Sequence, residues 1–158
     1  VAGELKSRGI PVILGHATQL PRRSHEAYDT EMSVAARLHA AGVAFCISNG
    51  GSADGSASNG RNLPYEAAMA SAYGLPRDEA LKSITLYPAQ ILGVSDRVGA
   101  IEAGRFADLV VADGDPLEIA TRIEQVWIKG EAVSMETRQT RLFQKYDQRP
   151  RGPNARPR

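Results

Sequence analysis

Hydrophobic positions change their period several times along the chain, and each change predicts an element. Residues 2–8 read as the close of a helix that Gly9 stops. The run IPVIL, residues 10–14, is continuous rather than alternating, is of strand length, and ends at Gly15 and His16. In EMSVAARLHAAG, residues 31–42, Met32, Ala35, Ala36 and Leu38 or His39 recur at helical spacing. Asp29 or Thr30 is the expected cap of that helix, and Gly42 its stop. A second continuous run, VAFCI, occupies residues 43–47. Such runs suit strands buried on both faces of a parallel sheet, and strand, helix, strand in this order is a βαβ unit.

VAFCI empties into a stretch of Gly, Ser, Asn and Ala that holds one carboxylate, Asp54. Two helical segments follow. Asn62 is placed to cap the first, Pro64 lies in its first turn, and Leu75-Pro76 separates it from PRDEALKSIT, whose first turn holds Asp78 and Glu79. PAQILGV adds a short third helix that stops at Gly93. Beyond it the character changes. VGAIEAGRFADLVVADGD alternates short β-like pieces with Gly and Asp turns, and IEQVWIKGEAV reads as a hairpin turning at Lys129-Gly130. The expected organisation is an α/β segment over residues 1–97, a small β element over 98–136, and a basic Pro/Arg-rich tail over 137–158, its last ten residues disordered.

Composition narrows the function classes. The chain has 158 residues, 42% of them hydrophobic, and a formal net charge of +1, which predicts no general attraction to nucleic acid or membrane. No apolar run approaches the roughly 20 residues of a membrane span. The basic residues concentrate after Thr137, where a solvated tail is the expectation and an anion-binding tail the alternative. Cys46 is the single cysteine, which excludes an intrachain disulfide and a thiolate metal cluster. Lying within VAFCI, it is expected to be a buried, inert thiol. The first residue is Val and no signal peptide follows, so the chain is expected to begin at a non-standard start or within a longer polypeptide.

The Gly/Ser stretch invites a chemical reading. From Gly50 it runs GGSADGSASNGRN, which matches neither glycine spacing of a phosphate cradle nor the alternating carboxylates of a calcium loop. A flexible linker and the rim of an active site remain open on composition alone. Position favours the rim, because the stretch leaves the C-terminal end of a parallel strand, where α/β folds place their ligands.

From NLPYEAAMASAYGLPRDEALKSITLYPAQILGV through DRVGAIEAGRFADLVVADGDPLEIATRIEQVWIKGEAV, residues 62–133, the sequence resembles the C-terminal part of the metal-dependent amidohydrolase superfamily, nearest its imidazolonepropionase-like group. The resemblance implies an α/β fold, the C-terminal part of a (β/α)8 barrel with IPVIL and VAFCI as strands seven and eight, followed by part of a small β-sandwich. Residues 107–111 would then be a buried sandwich strand. Asp108 and Asp113 would cap turns, and Asp115-Pro116 would be a further turn signal. It implies hydrolysis of a C–N bond in an amide or cyclic amide, non-peptide or dipeptide-like, by water activated at one or two divalent ions, commonly zinc. An Asp after strand eight would bind metal and carry a proton to the leaving nitrogen.

The chain departs from that pattern at the Asp. Asn49 stands at the matching position, and Asp54, with the right chemistry, comes several residues later; Asp54 is the narrow choice as catalytic residue and metal ligand. His16, at the end of strand seven, and Arg61 and Asn62, at the start of the helix after strand eight, are the candidates for substrate contact. His25 and the Arg22-Arg23 pair are expected in a solvated loop, and His39 on a helix surface. No His-x-His pair occurs, and most metal ligands of the family are absent. The expected partners are the remaining N-terminal part of the same polypeptide and a small-molecule substrate, with a homo-oligomer left open. A chain with two barrel strands cannot close a barrel. It is expected to be inactive alone, or else to belong to a catalytically degenerate binding protein or a standalone α/β interaction module. A soluble protein is expected, its compartment open between cytoplasm and periplasm.

Overall fold

The computed structural model describes residues 1–21, 23–50 and 59–148. Helix α1 (Ala2–Ser7) ends at Arg8 and Gly9, the latter at φ 63°, and leads into strand β1 (Val12–Leu14). Helix α2 (Val34–Ala41) closes on Gly42 in the left-handed region at φ 69°, a conformation glycine adopts without steric cost. Strand β2 (Phe45–Ile47) follows. A single 3₁₀ turn (Gly60–Asn62) introduces α3 (Leu63–Ala72), and α4 (Arg77–Ser83) and α5 (Leu86–Ile91) come next. Strands β3 (Leu109–Ala112), β4 (Ile123–Ile128) and β5 (Glu131–Val133) precede a last helix, α6 (Arg138–Asp147).

β1 and β2 pair in parallel, Val12 opposite Phe45, Ile13 opposite Cys46 and Leu14 opposite Ile47. This is the βαβ unit the sequence predicts. Its core is shared with the helices: Leu38, Val43, Phe45, Ile47, Ala67 and Leu75 are buried in one cluster, with Val12 and Leu14 packed against it. β2 is buried along its whole length, but β1 is not, since Ile13 is 58% exposed. Helices cover the face that Val12 and Leu14 present; on the other face Cys46 of β2 is buried, whereas Ile13 beside it in register stays open.

Three expected boundaries move. Neither Asp29 nor Thr30 caps α2. The chain makes turns there, with Ser33 N–H donating to the Asp29 carbonyl and Ser33 Oγ to that of Thr30, so the helix starts at Val34. The strand expected at residues 107–111 runs from Leu109 to Ala112 and is half open, Val110 being 59% exposed, because no second sheet lies over it among the described residues. The basic tail expected from residue 137 contains α6, which Thr137 and Thr140 start with a reciprocal capping box. The ten residues expected to be disordered lie outside the described residues.

β3, β4 and β5 form an antiparallel meander. Its β4–β5 turn is Lys129 and Gly130, at φ 52° and 83°, the two successive positive values that a type I′ hairpin turn needs. Asp108 and Asp113 serve turns as expected: Asp108 Oδ1 accepts from Lys129 N–H at 2.7 Å, and Asp113 accepts from the backbone and guanidinium of Arg122, both at 2.8 Å. The meander's approach segment is tied to the helices. Leu117 is buried in the main cluster, and Arg77 at the start of α4 pairs with Asp115 and Glu118.

Candidate active site at the strand ends

Parallel pairing brings the C-terminal ends of β1 and β2 to the same side. The pairing extends one step past the strands, since Ser48 N–H donates to the Leu14 carbonyl at 2.8 Å. His16 lies two residues beyond β1, and Asn49 and Gly50 just beyond β2. His16 and Gly50 meet there: a Cβ built on Gly50 would lie 2.2 Å from His16 Nε2. Gly50 also has φ 76°, so space and backbone both require glycine.

The other side of the imidazole is held by Glu66. This side chain, in the first turn of α3, is 8% exposed, against 30% for His16. Its Oε2 accepts from Ala17 N–H at 2.7 Å, and the Thr18 hydroxyl donates to both oxygens at 3.2 and 3.4 Å. His16 Nδ1 lies 3.3 Å from Oε1. A carboxylate only accepts, and backbone amide, hydroxyl and ring nitrogen can each donate to it. One buried anion thus gathers the three consecutive residues 16–18 at the mouth.

Glu66 was absent from the sequence-based candidates. Its signal lay in helical spacing: Leu63, Glu66, Ala67 and Ala70 fall on one stripe, and Glu66, Ala67 and Ala70 are all buried. A carboxylate inside an apolar stripe needs buried donors, and only the fold supplies them. The other candidates are not gathered here. Asp54 and Arg22 lie outside the described residues. Arg61 is exposed and Asn62 half-buried in the 3₁₀ turn, and among the described residues no hydrogen bond or ion pair ties either side chain to His16 or Glu66. Asn62 occupies the cap position of α3 without a side-chain capping bond. His25 is exposed, as expected.

A cavity of about 600 Å³ opens at the opposite, N-terminal ends of the strands, lined by Pro11, His39, Val43, Phe45, Glu79 and Tyr87 among others. His39 is half on the helix surface, as expected, with Nδ1 3.6 Å from Glu79 Oε2. Glu79 also pairs with Lys82 at 2.8 Å and accepts from the Tyr87 hydroxyl, and these donors hold its carboxyl below the ordinary range. That cluster is fully partnered and sits at the strand ends where α/β sheets do not bind ligands. Among the described residues no three His, Cys, Asp or Glu side chains converge as a metal ion requires, so these residues by themselves do not fit a metal. Nor is any described helix long and apolar enough to cross a membrane.

A chain with this paired βα segment and antiparallel meander is recognisable as a whole. Residues 4–133 match the amidohydrolase family, and the chain belongs to it. It is 47% identical over 74 residues to the amidohydrolase tasK of Hapsidospora irregularis, a match covering 47% of this chain and 8% of that protein. It is 44% identical over 55 residues to an imidazolonepropionase of Sphingopyxis alaskensis, covering 34% and 14% respectively. An amidohydrolase structure from Thermotoga maritima superposes with a TM-score of 0.70 at 30% identity, over 84% of this chain and 33% of that one. A zinc-bound adenosine deaminase from Xanthomonas campestris shares the fold with a TM-score of 0.60 at 23% identity, over 94% and 39%. The chain therefore spans about a third of the solved structures it matches and less of the curated relatives.

Proposed function

We propose that this chain is one flank of a hydrolase that cleaves a C–N bond other than a peptide bond, in an amide or cyclic amide. β1 and β2 would be strands seven and eight of a (β/α)8 barrel whose other strands come from the rest of the polypeptide, and β3–β5 would be part of its β-sandwich. The observation that carries this reading is the parallel register of β1 on β2, which sets His16 and Gly50 against each other at the C-terminal strand ends of an amidohydrolase-family chain. Dependence on a divalent metal, zinc first, belongs to the reading, with its ligands supplied from outside the described residues. Asp54 is assigned proton transfer to the leaving nitrogen, and His16, Arg61 and Asn62 substrate contact. By itself the chain would be inactive, leaving Ile13 and Val110 uncovered.

The test is expression of the whole open reading frame, a metal assay, and turnover of N-acylated and cyclic amides. Asp54→Asn is expected to lower kcat by about 100-fold or more, the usual range for a lost acid–base group. A metal-loaded protein that turns over no C–N substrate sinks the hydrolase reading. Turnover that survives Asp54→Asn sinks only the assignment of Asp54. Asn49, standing where the family pattern has Asp, favours a second reading, a catalytically degenerate binding protein; that protein would bind amides without cleaving them.

A further inference from the structure

Proposed substrate contact leaves open what His16 offers a substrate, because an imidazole can present a donor or an acceptor at Nε2. We infer that Glu66 is the positioning residue that decides this: its carboxylate takes the Nδ1–H of His16, fixes that tautomer, and leaves the Nε2 lone pair as a hydrogen-bond acceptor at the mouth beside Gly50. The inference rests on the proposed hydrolase only in naming the beneficiary, a substrate that carries an N–H donor near the bond to be cleaved.

The geometry carries it in three steps. Glu66 is buried and, among the described residues, each polar group bonded to it is a donor or can become one: Ala17 N–H, the Thr18 hydroxyl and His16 Nδ1. The shortest of these, Ala17 N–H at 2.7 Å, engages Oε2, and Oε1 takes the Thr18 hydroxyl at 3.2 Å together with His16 Nδ1 at 3.3 Å, its further lone pair leaving room for both. A neutral imidazole then gains only by placing its proton on Nδ1, since two acceptors facing each other repel. On the far side the ring edge at Nε2 abuts Gly50, where a Cβ would intrude to 2.2 Å, so the ring is gripped from both ends. The His16 side chain keeps 30% of its surface exposed at the mouth, so the ring is open to a bound molecule.

The same bookkeeping of donors makes Glu66→Gln informative. Glutamine has the same shape but one acceptor oxygen and an NH₂ group. Its oxygen is expected to go to the buried Ala17 N–H, which has no other partner among the described residues, and its NH₂ would then face Nδ1. His16 must answer by moving its proton to Nε2, so the mouth gains a donor and loses its acceptor.

The experiment is ¹⁵N NMR of the whole protein selectively labelled at histidine, with His16→Gln used to assign the signal. It is run at about pH 8, where an ordinary imidazole is neutral. In the unaltered protein His16 should show a protonated Nδ1 and a bare Nε2, and Glu66→Gln should exchange the two shifts. A bare Nδ1 in the unaltered protein overturns the inference, and this holds even if Glu66→Gln fails to fold. An unchanged tautomer in a folded Glu66→Gln overturns it equally. Where a substrate is in hand, Glu66→Gln is expected to raise KM by about 10-fold or more with kcat little changed, as loss of a uniform binding contact does. Loss of kcat with KM unchanged would count against an acceptor role. The ring shifts are read without turnover, so failure of the hydrolase reading and failure of this inference are separately visible.

Discussion

His16 and Glu66 are 50 residues apart in the chain, and the meeting of the two is the central fact at the scale of single residues. His16 was legible as a candidate because it ends an apolar strand. Glu66 was not, because one carboxylate in the first turn of a helix ordinarily serves the dipole and stays in water. What turns it into a site residue is burial against residues 16–18, and burial is decided by the pairing of β1 with β2. Cys46 gives the reverse case. Its place inside a continuous apolar run foretold an inert thiol, and the residue is buried with its thiol pushed above the ordinary value by that burial. A thiol reagent at about pH 8 is therefore expected to leave Cys46 unmodified in the native protein and to react once denaturant is added. Rapid labelling in native buffer would contradict the buried placement.

At the scale of elements, turns that depend on one or two residues were the most readable. Lys129-Gly130 makes the hairpin because a type I′ turn needs two positive φ values, and Gly42 stops α2 for a related reason. Gly99 and Gly104 lie in the stretch where the sequence predicts Gly turns, and both adopt positive φ, 96° and 93°. Only the fold separates them. A Cβ on Gly99 would lie 2.8 Å from the Ala89 Cβ and 2.9 Å from the Thr85 carbonyl oxygen, whereas nothing stands within 4 Å at Gly104. Gly104→Ala should therefore cost about 1 kcal/mol for backbone strain alone, and Gly99→Ala distinctly more, since α5 must move as well. Denaturant midpoints of the two variants check this, and equal losses would show that the close approach of residue 99 to α5 is wrong. The start of α2 and the existence of α6 were less readable. Both depend on side chains meeting nearby backbone: Ser33 bonds back to Thr30, and Thr137 caps through Thr140 where the usual signature has Glu or Gln.

For the whole molecule, the junction between the helical segment and the meander rests on Leu117 in the core and on Arg77 reaching Asp115 and Glu118. The Arg77 guanidinium, with the Leu117 N–H, holds the Asp115 carboxyl below its ordinary value of 3.8. A lowered carboxyl contributes stability that is complete above the unfolded value and fades as pH falls through the lower folded one. Arg77→Ala should thus be less stable than the unaltered protein near pH 7, and the difference should shrink below about pH 3.8. A difference that stays constant into acid would mean the ion pair does not anchor the junction. The sequence alone determined the order of elements as far as residue 133, the parallel pair and the family, because period, turn chemistry and a long composite motif are local and survive without knowledge of neighbours. The tertiary structure decided which faces are covered. Cys46 is buried while Ile13 beside it in register is open, and Val110 is open although its run reads as core. It also decided that Glu66 holds His16. Burial and hydrogen-bond partnership are properties of pairs distant in the chain, and composition fixes neither.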